Sequence, residues 1–341
     1  MAAIGIDTHK ATLAACAVDE RGAPLAEAEF ANDPAGHRAL AAWSRQVAPG
    51  ARIGVEGSAS YGAVAARHLL GLGLAVAEVP PHLSRRERIH TRRAGKSDPG
   101  DALAIARVTL REAYLPPVRG DDASRELQLL VEAREDLVAE AIRTRNRLHA
   151  DLLVLLPGYQ RQAAHLVSRG ALATVRRRLA RRPELQARLA RERLARLVHL
   201  TADIAALETE IRGRVAGHRL LQVPGVGPLV AAKLLGEVGD ARRFASPDAF
   251  AAFAGVAPIP ASSGQVQRMR LNRGGNRQLN RALFTAAFVQ SQHHPEAIAF
   301  MARKRAEGKS WREALRCLKR HLARRVYRLL DAAPARVDLA A

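Results

Sequence analysis

Cysteine is nearly absent from the chain: Cys16 and Cys317 are the two present, and they lie far apart. That excludes a disulfide framework and a cysteine-built zinc ribbon, and it makes a reducing cytosol the natural setting. Long apolar runs are missing as well. No stretch reaches the ~18 consecutive apolar residues of a membrane span, and no basic segment leads into an apolar run at the N-terminus, as a signal peptide would require. Acids are scarce beside bases. Asp and Glu number 33 against 54 Lys and Arg, a net charge of +21. Arginine dominates the basic set, and its planar fork suits phosphate. A chain so charged is expected to meet nucleic acid, although an arginine-rich genome or a ribosomal-type structural role gives the same balance.

What is present suffices for two or three domains with cores of their own: 341 residues, 48% of them hydrophobic. Residues 1–118 read as an α/β domain. Ala3, Ile4 and Ile6 make a short strand ending at Asp7. Ala11–Val18 and Leu25–Phe30 continue a hairpin meander around the turn Asp19-Glu-Arg-Gly22. Asp33 and Pro34 open a helix running to Trp43. Arg52–Val55 is a strand that ends in Glu56. A helix is expected at about 62–72, then a strand Leu74–Val79 closed by Pro80-Pro81. Strand–helix–strand alternation after a hairpin predicts a mixed sheet with helical cover.

A basic stretch follows. Arg85, Arg86, Arg88, Arg92, Arg93 and Lys96 fall within twelve residues, with Glu87 the single acid among them. They are candidate phosphate contacts on an arm, the alternative being a solvated loop. In Lys96-Ser-Asp-Pro-Gly-Asp-Ala102, Asp98 suits an N-cap and Pro99 the first helical position. Asp98 and Asp101, three apart, share one face of the first turn. A capping box explains one of these acids but does not require two.

Residues 119–218 are rich in helix formers and charge. Leu127, Leu130, Leu137, Ala141 and Leu148 follow seam spacing, Pro157-Gly158 interrupts it, and Leu197, Leu200, Ile204, Leu207 and Ile211 resume it beyond an arginine cluster at 176–182. Two long helices are expected, as an antiparallel hairpin or as an intermolecular coiled coil. Residues 219–341 read as mainly helical. Val223-Pro-Gly-Val-Gly-Pro228 feeds a helix in the manner of a helix–hairpin–helix turn, which offers backbone N–H groups to phosphate, or is a plain interhelical turn. A small helix, Ala249–Ala257, ends at Pro258, and the loop Pro258-Ile-Pro-Ala-Ser-Ser-Gly264 follows. Arg268, Arg270, Arg273, Arg277 and Arg281 come next with no acid between them. A hydroxyl that attacks phosphate needs such cations around the phosphoryl group, whereas a Ser-Ser-Gly loop alone is also an ordinary turn. The basic helical region Met301–Leu330 carries Trp311, Leu315, Leu318, Leu322 and Val326 as its expected core stripe, with a phosphate-facing side.

Asp7 and Glu56 at strand ends, with Asp98 and Asp101 on one helical turn, have the layout of an RNase H-like nuclease site. Two Mg²⁺ ions, or Mn²⁺ in their place, would be held there to activate a nucleophile and steady the leaving oxygen of a phosphodiester. Asp7 by itself is equally a strand-edge turn residue.

The motifs Gly5-Ile-Asp-Thr-His-Lys10, Glu56-Gly-Ser-Ala-Ser-Tyr61, Lys96-Ser-Asp-Pro-Gly-Asp-Ala102, Arg145-Asn-Arg-Leu-His149, Val223-Pro-Gly-Val-Gly227 and Ala254-Gly-Val-Ala-Pro258 through Ser263-Gly264, in this order, closely resemble the transposases of the insertion-sequence one-ten family, the DEDD-type group that includes pilin-gene invertases. The resemblance runs nearly end to end. It implies a RuvC-like domain, a coiled-coil insertion and a C-terminal transposase domain with a catalytic serine. Asp7, Glu56, Asp98 and Asp101 fall on the family's four acids, and Ser263 falls on its nucleophile, with Ser262 adjacent. It further implies a composite site between subunits of a dimer or tetramer, donor and target DNA, a structured guide RNA, and work at the nucleoid of a bacterial cytoplasm. Ser97 stands where many members carry Thr. A site-specific invertase or a Holliday-junction-type nuclease would use the same acids. A non-catalytic scaffold would not need four intact carboxylates.

Overall fold

The computed structural model describes residues 2–58, 60–90, 98–113, 115–116, 118, 120, 122–260, 269–270, 272 and 274–331, with the backbone alone at Ile89, His90, Asp98, Pro99, Pro260, Met269 and Asp331. The chain divides into two compact units, Met1–Asp122 and Ala123–Ala341.

The first unit is built on a five-stranded mixed sheet. Its strands are β1 (Ala3–Thr8), β2 (Thr12–Val18) and β3 (Pro24–Ala31), then, after helix α1 (Pro34–Val47), β4 (Arg52–Val55), and, after α2 (Ala63–Gly71), β5 (Val76–Glu78). The order across the sheet is β3-β2-β1-β4-β5. β1, β2 and β3 form the expected antiparallel meander, while β4 and β5 add in parallel to β1. Alternation decides the two faces. Ile4, Ile6, Leu13, Ala15, Ile53 and Val55 pack with Leu40 of α1 and Leu69 of α2 on one side. Ala3, Ala14, Cys16 and Val18 face the other, against Ala102, Leu103 and Ala106 of α4 (Asp98–Arg111). Asp33 caps α1 as expected, accepting from the Gly36 N–H at 2.7 Å. Burial and the nearby Glu27 push the Cys16 thiol up to about 11, so it is an inert core residue.

One local expectation changes. The residues after Pro80 enter a helix, α3 (Pro81–His90), rather than an irregular arm. Proline is favoured at a first helical turn, where its missing N–H has no partner to lose. Arg85, Arg86 and Arg88 are therefore helical residues. Arg92, Arg93 and Lys96 lie outside the described residues.

The second unit is helical. α5 (Ala123–Leu155), α6 (Gln160–Ala163), α7 (Arg169–Ala180) and α8 (Leu185–Arg214) precede α9 (Pro228–Val238) and α10 (Pro247–Phe253). A two-strand ribbon, β6 (Ile259–Pro260) with β7 (Met269–Arg270), leads to α11 (Arg277–His293), α12 (Pro295–Ala306) and α13 (Trp311–Asp331). The two long helices pack within one chain. Ion pairs Glu126–Arg214, Arg134–Glu208, Glu140–Arg196 and Asp151–Arg193 run in opposite senses along them, so the hairpin is antiparallel. The exposed pairs among them contribute little individually, and Asp151, only 9% exposed, makes Asp151–Arg193 the most sheltered. The buried set Ala141, Leu148, Leu152, Leu194, Leu197 and Leu200 carries the contact. A separate core surrounds Phe250, Leu279, Leu283 and Leu315 in the C-terminal helices.

Two boundaries differ from expectation here. α10 starts at Pro247 because Ser246 caps it, and it ends at Phe253, before Gly255 turns the chain at φ +66. The basic C-terminal region is two helices broken at Gly308, φ +83. Leu315, Leu318, Leu322 and Val326 are buried as expected, but Trp311 is 37% exposed. It occupies the first position of its helix, beyond the reach of the stripe's packing partners.

Burial holds His37, His149 and His218 below the ordinary histidine value of 6.5. His218 also accepts the Leu220 N–H through Nδ1 at 3.1 Å, a bond that ring protonation removes. The unfolded chain therefore binds more protons than the folded one below about pH 6.5, and stability is lost as the pH falls through that value. The thermal midpoint is expected to be lower at about pH 5.5 than at about pH 7.5. His218→Asn, which keeps an acceptor at the cap, is expected to narrow the gap. An unchanged or higher midpoint in acid contradicts this.

Candidate active site

The site begins with two glycines. A Cβ on Gly5 would lie 2.1 Å from the Ala106 nitrogen and 2.3 Å from the Ala102 oxygen, and a Cβ on Gly54 would lie 1.8 Å from Thr109 Oγ1. Gly5 and Gly54 are partners in the parallel ladder, so α4 rests directly on the backbone of two adjacent strands. The same alternation aims Asp7 and Glu56, two residues further along β1 and just beyond β4, toward this α4-covered face.

The direction of α4 brings its first turn to them. Arg52 at the start of β4 donates to the Glu112 carbonyl at 2.8 Å, and Arg107 donates to the Gly22 carbonyl, in the turn beside the start of β1, at 3.0 Å. Following α4 back from Glu112 through Ala106 and Ala102 therefore travels toward the carboxyl ends of β1 and β4. Asp101, only 9% exposed, sits at that end. Asp98 opens the same helix, and its side chain lies outside the described residues.

The local turns hold the acids in place. Thr8 Oγ1 donates to the Glu56 carbonyl at 2.8 Å, and the Glu56 N–H donates to Ile6 at 3.1 Å, tying the two strand ends together. Gly57 leaves at φ +76, with Thr8 Oγ1 where a Cβ would stand. Asp7 Oδ1 accepts the Thr8 N–H at 3.0 Å, and His9 Nε2 lies 3.3 Å from its other oxygen. Helix α3 then contributes two side chains one turn apart. Ser84, wholly buried, donates to Glu56 Oε2 at 2.5 Å, and Arg88 pairs with Asp101 Oδ1 at 3.1 Å. Ser84 Oγ also lies 3.1 Å from the Pro81 carbonyl. Its single proton goes to the charged acceptor, which forms the shorter and stronger bond.

Asp7, Glu56 and Asp101 thus share one face and one end of the sheet. They offer hard oxygen donors, the kind Mg²⁺ and Mn²⁺ take, and Asp101 is here paired with the Arg88 guanidinium. Among the described residues no three His, Cys, Asp or Glu side chains are grouped closely enough to hold an ion. Ser84 and the glycines went unnoticed in the sequence. A Gly two residues ahead of an acid on each of two strands was the available signal.

The serine loop belongs to the second unit. Ser262 and Ser263, with Arg268 and Arg273, lie outside the described residues. Its base is well defined. Asn280 Nδ2 donates to the Ala254 and Gly255 carbonyls at 2.9 and 3.0 Å, Asn272 Nδ2 donates to Ala252 at 3.0 Å, and the Asn276 N–H donates to Phe253 at 2.7 Å. Buried Lys319 donates to Asn280 Oδ1 at 2.9 Å. Burial, reinforced by Arg316, lowers its pKa from the ordinary lysine value. Of the candidate phosphate contacts, Arg85, Arg86, Arg270 and Arg277 are exposed, while Arg88 is turned onto Asp101.

A mixed sheet with carboxylates gathered at the ends of parallel strands, carried by a chain of net charge +21, is the frame of an α/β enzyme acting on nucleic acid. A DEDD-type transposase family model matches residues 4–157, and a model of the transposase IS116/IS110/IS902 family matches 217–302. A 42 kDa protein of insertion element IS900 from Mycobacterium paratuberculosis is 30% identical over 93% of this chain and 92% of its own. A 43.6 kDa protein of insertion element IS110 from Streptomyces coelicolor is 30% identical over 84% and 85%. The transposase for insertion sequence element IS1328 from Yersinia enterocolitica is 28% identical over 67% of each. The chain belongs to the IS110 family of transposases, enzymes that cleave and transfer DNA. None of its described helices is long and apolar enough to cross a membrane.

Gly5→Ala is expected to destabilise the first unit by about 3 kcal/mol or more, because the clash is with backbone that cannot step aside. Gly71→Ala, where a Cβ meets nothing within 4 Å, is expected to stay within about 1 kcal/mol of wild type. Denaturant unfolding of both variants checks the pair, and equal midpoints would refute the direct seating of α4 on β1.

Proposed function

We propose that this transposase cuts and rejoins DNA with a four-carboxylate site in its first unit and a serine in its second. The observation that carries the proposal is the shared placement of Asp7, Glu56 and the first turn of α4 at one end of the sheet. In this reading residues 1–118 are a RuvC-like, RNase H-like domain, 119–218 a coiled-coil insertion, and 219–341 a transposase domain whose Val223–Pro228 turn is helix–hairpin–helix-like.

Asp7, Glu56, Asp98 and Asp101 would hold Mg²⁺, two ions with Mn²⁺ as substitute, which when bound neutralises charge on the scissile phosphate. Ser84 is a positioning residue: its hydroxyl holds Glu56 Oε2 and leaves Oε1 without a partner among the described residues. Arg88 pairs with Asp101 and would have to swing aside for Asp101 to hold a metal ion. The Ser263 hydroxyl attacks phosphorus. An O–P bond forms as the serine gives up its proton, the bond from phosphorus to the leaving strand's oxygen breaks, and that oxygen takes up the proton to become a strand hydroxyl. The phosphoserine ester keeps the bond energy, so a strand hydroxyl can later attack it and regenerate the serine. Asn272, Asn276, Asn280 and Lys319 would brace the loop carrying the serine. Exposed Arg85, Arg86, Arg270 and Arg277, with Arg92, Arg93, Lys96, Arg268 and Arg273, would contact donor DNA, target DNA and a structured guide RNA in a dimer or tetramer.

Trapped covalent protein–DNA product is the direct test of the nucleophile. Ser263→Ala is expected to abolish it while Ser262→Ala retains it, and an adduct surviving in both variants overturns the assignment. Asp7→Asn and Asp101→Asn are expected to reduce strand cleavage by at least about a hundredfold. Ser84→Ala is expected to weaken Mn²⁺ binding by calorimetry about tenfold, with Ser84→Thr close to wild type. Unchanged Mn²⁺ affinity in Asp7→Asn would sink the carboxylate reading.

A further inference from the structure

Three aromatic rings stand on the surface of the second unit. Phe284 and Phe288 of α11 are 44% and 43% exposed, and Trp311 at the start of α13 is 37% exposed. They form a row. The Phe284 and Phe288 centroids are 6.0 Å apart with planes 20° from parallel, and Phe288 and Trp311 meet edge-on at 6.2 Å. Aromatic residues make up only 4% of the chain, and Phe244 and Phe250 of the same unit are buried. A contiguous exposed cluster of this kind signals a binding surface rather than scattered apolar exposure.

The surroundings of the row are cationic. Arg277, Arg281, Phe284 and Phe288 follow one another at spacings of four, three and four, so they share one exposed stripe of α11. That helix, Arg277–His293, contains no acid. Lys319 Nζ lies 5.8 Å from the Phe284 centroid. The Arg281 side chain is 69% exposed and reaches Glu135 only at 3.8 Å, a contact loose enough to exchange for phosphate. Beside the stripe opens a cleft of about 120 Å³ whose polar lining is Arg134, Lys233, Arg281 and Thr285 with one acid, Glu135, which Lys233 holds at 2.5 Å. Glu313, two residues past Trp311, is held by Ser310 and Arg316.

We propose that this stripe is a stacking platform for unpaired nucleotides. Bases lie on the faces of Phe284, Phe288 and Trp311, and the phosphates between them sit on Arg277 and Arg281. Stacking needs a free base face, which a single strand or loop offers and a duplex hides. A second copy of the chain fits poorly. A twofold interface brings the same patch from both sides, so the seam would hold the arginines of both copies and no acid from α11 to compensate them. The platform neither includes nor depends on the carboxylates of the first unit.

The test uses the full chain with Trp43→Phe. Trp43 packs on Phe30 in the sheet unit, and the chain has only two tryptophans, so Trp311 is then the sole indole. Binding is followed in EDTA, without metal chemistry, so that failure here leaves the carboxylate reading untouched and the reverse also holds. Oligothymidylate and oligouridylate are expected to quench Trp311 fluorescence to saturation, whereas a duplex of equal length and inorganic polyphosphate are not. Phe284→Ala and Phe288→Ala are each expected to raise Kd about tenfold with unchanged melting temperature. Quenching by one single strand and not the other still supports the platform and identifies its strand as DNA or RNA. Binding without quenching, equal quenching by polyphosphate or duplex, or self-association that Trp311→Ala abolishes in the absence of quenching overturns it.

Discussion

The seating of α4 on the bare backbone of β1 and β4 is the contact on which the first unit depends. Two glycines in register remove the side chains that would hold the helix off the sheet. Without that approach, the first turn of α4 would ride well above Asp7 and Glu56. Interiors are packed too densely for a compromise, so the arrangement is all or nothing. The apolar opposite face, built from Ile4, Ile6, Ile53 and Val55, fixes the strand register and thereby the face to which both acids point.

Helix α3 acts on the same constellation from outside. Its residues Ser84 and Arg88 are one turn apart and touch two different acids. A neutral donor thus meets one carboxylate and a cation the other. Glu87 of the same helix pairs with Arg111 at the far end of α4, so α3 and α4 are linked by side chains of both signs. Ser84 has the Pro81 carbonyl as an alternative acceptor, which lets Glu56 turn without leaving a buried hydroxyl unsatisfied.

In the second unit the corresponding constraint is polar. The Asn272 and Asn280 side chains and the Asn276 backbone N–H converge on the end of α10, and Lys319 anchors Asn280. Asn276 also donates to Glu237 at 2.7 Å. These bonds hold the turn at Gly255, just before the ribbon β6–β7 begins. The arginines of the same segment drew attention because charge is conspicuous in a sequence. The asparagines between them build the support.

Much of this was legible in the residues alone. Strand order within the meander, the Asp33 cap, the break at Pro157-Gly158 and the two long helices follow from periodicity and capping, which are local. The family was legible from motifs in order. Other features needed the fold. Whether the long helices pair within one chain depends on where the hairpin turns, and the sequence left both outcomes open. Trp311 looked like the first residue of a core stripe, because spacing cannot show that the partners of that stripe stop one turn short. Ser84 looked like one polar residue among arginines, because its role depends on a carboxylate 28 residues away. The sequence by itself determined which carboxylates sit at strand ends and which residues of a strand share a face, since both follow from alternation. Only the tertiary structure decided that α4 runs back toward those ends and that α3 lies over them, because helix direction and contact are set by the packing of glycine against backbone.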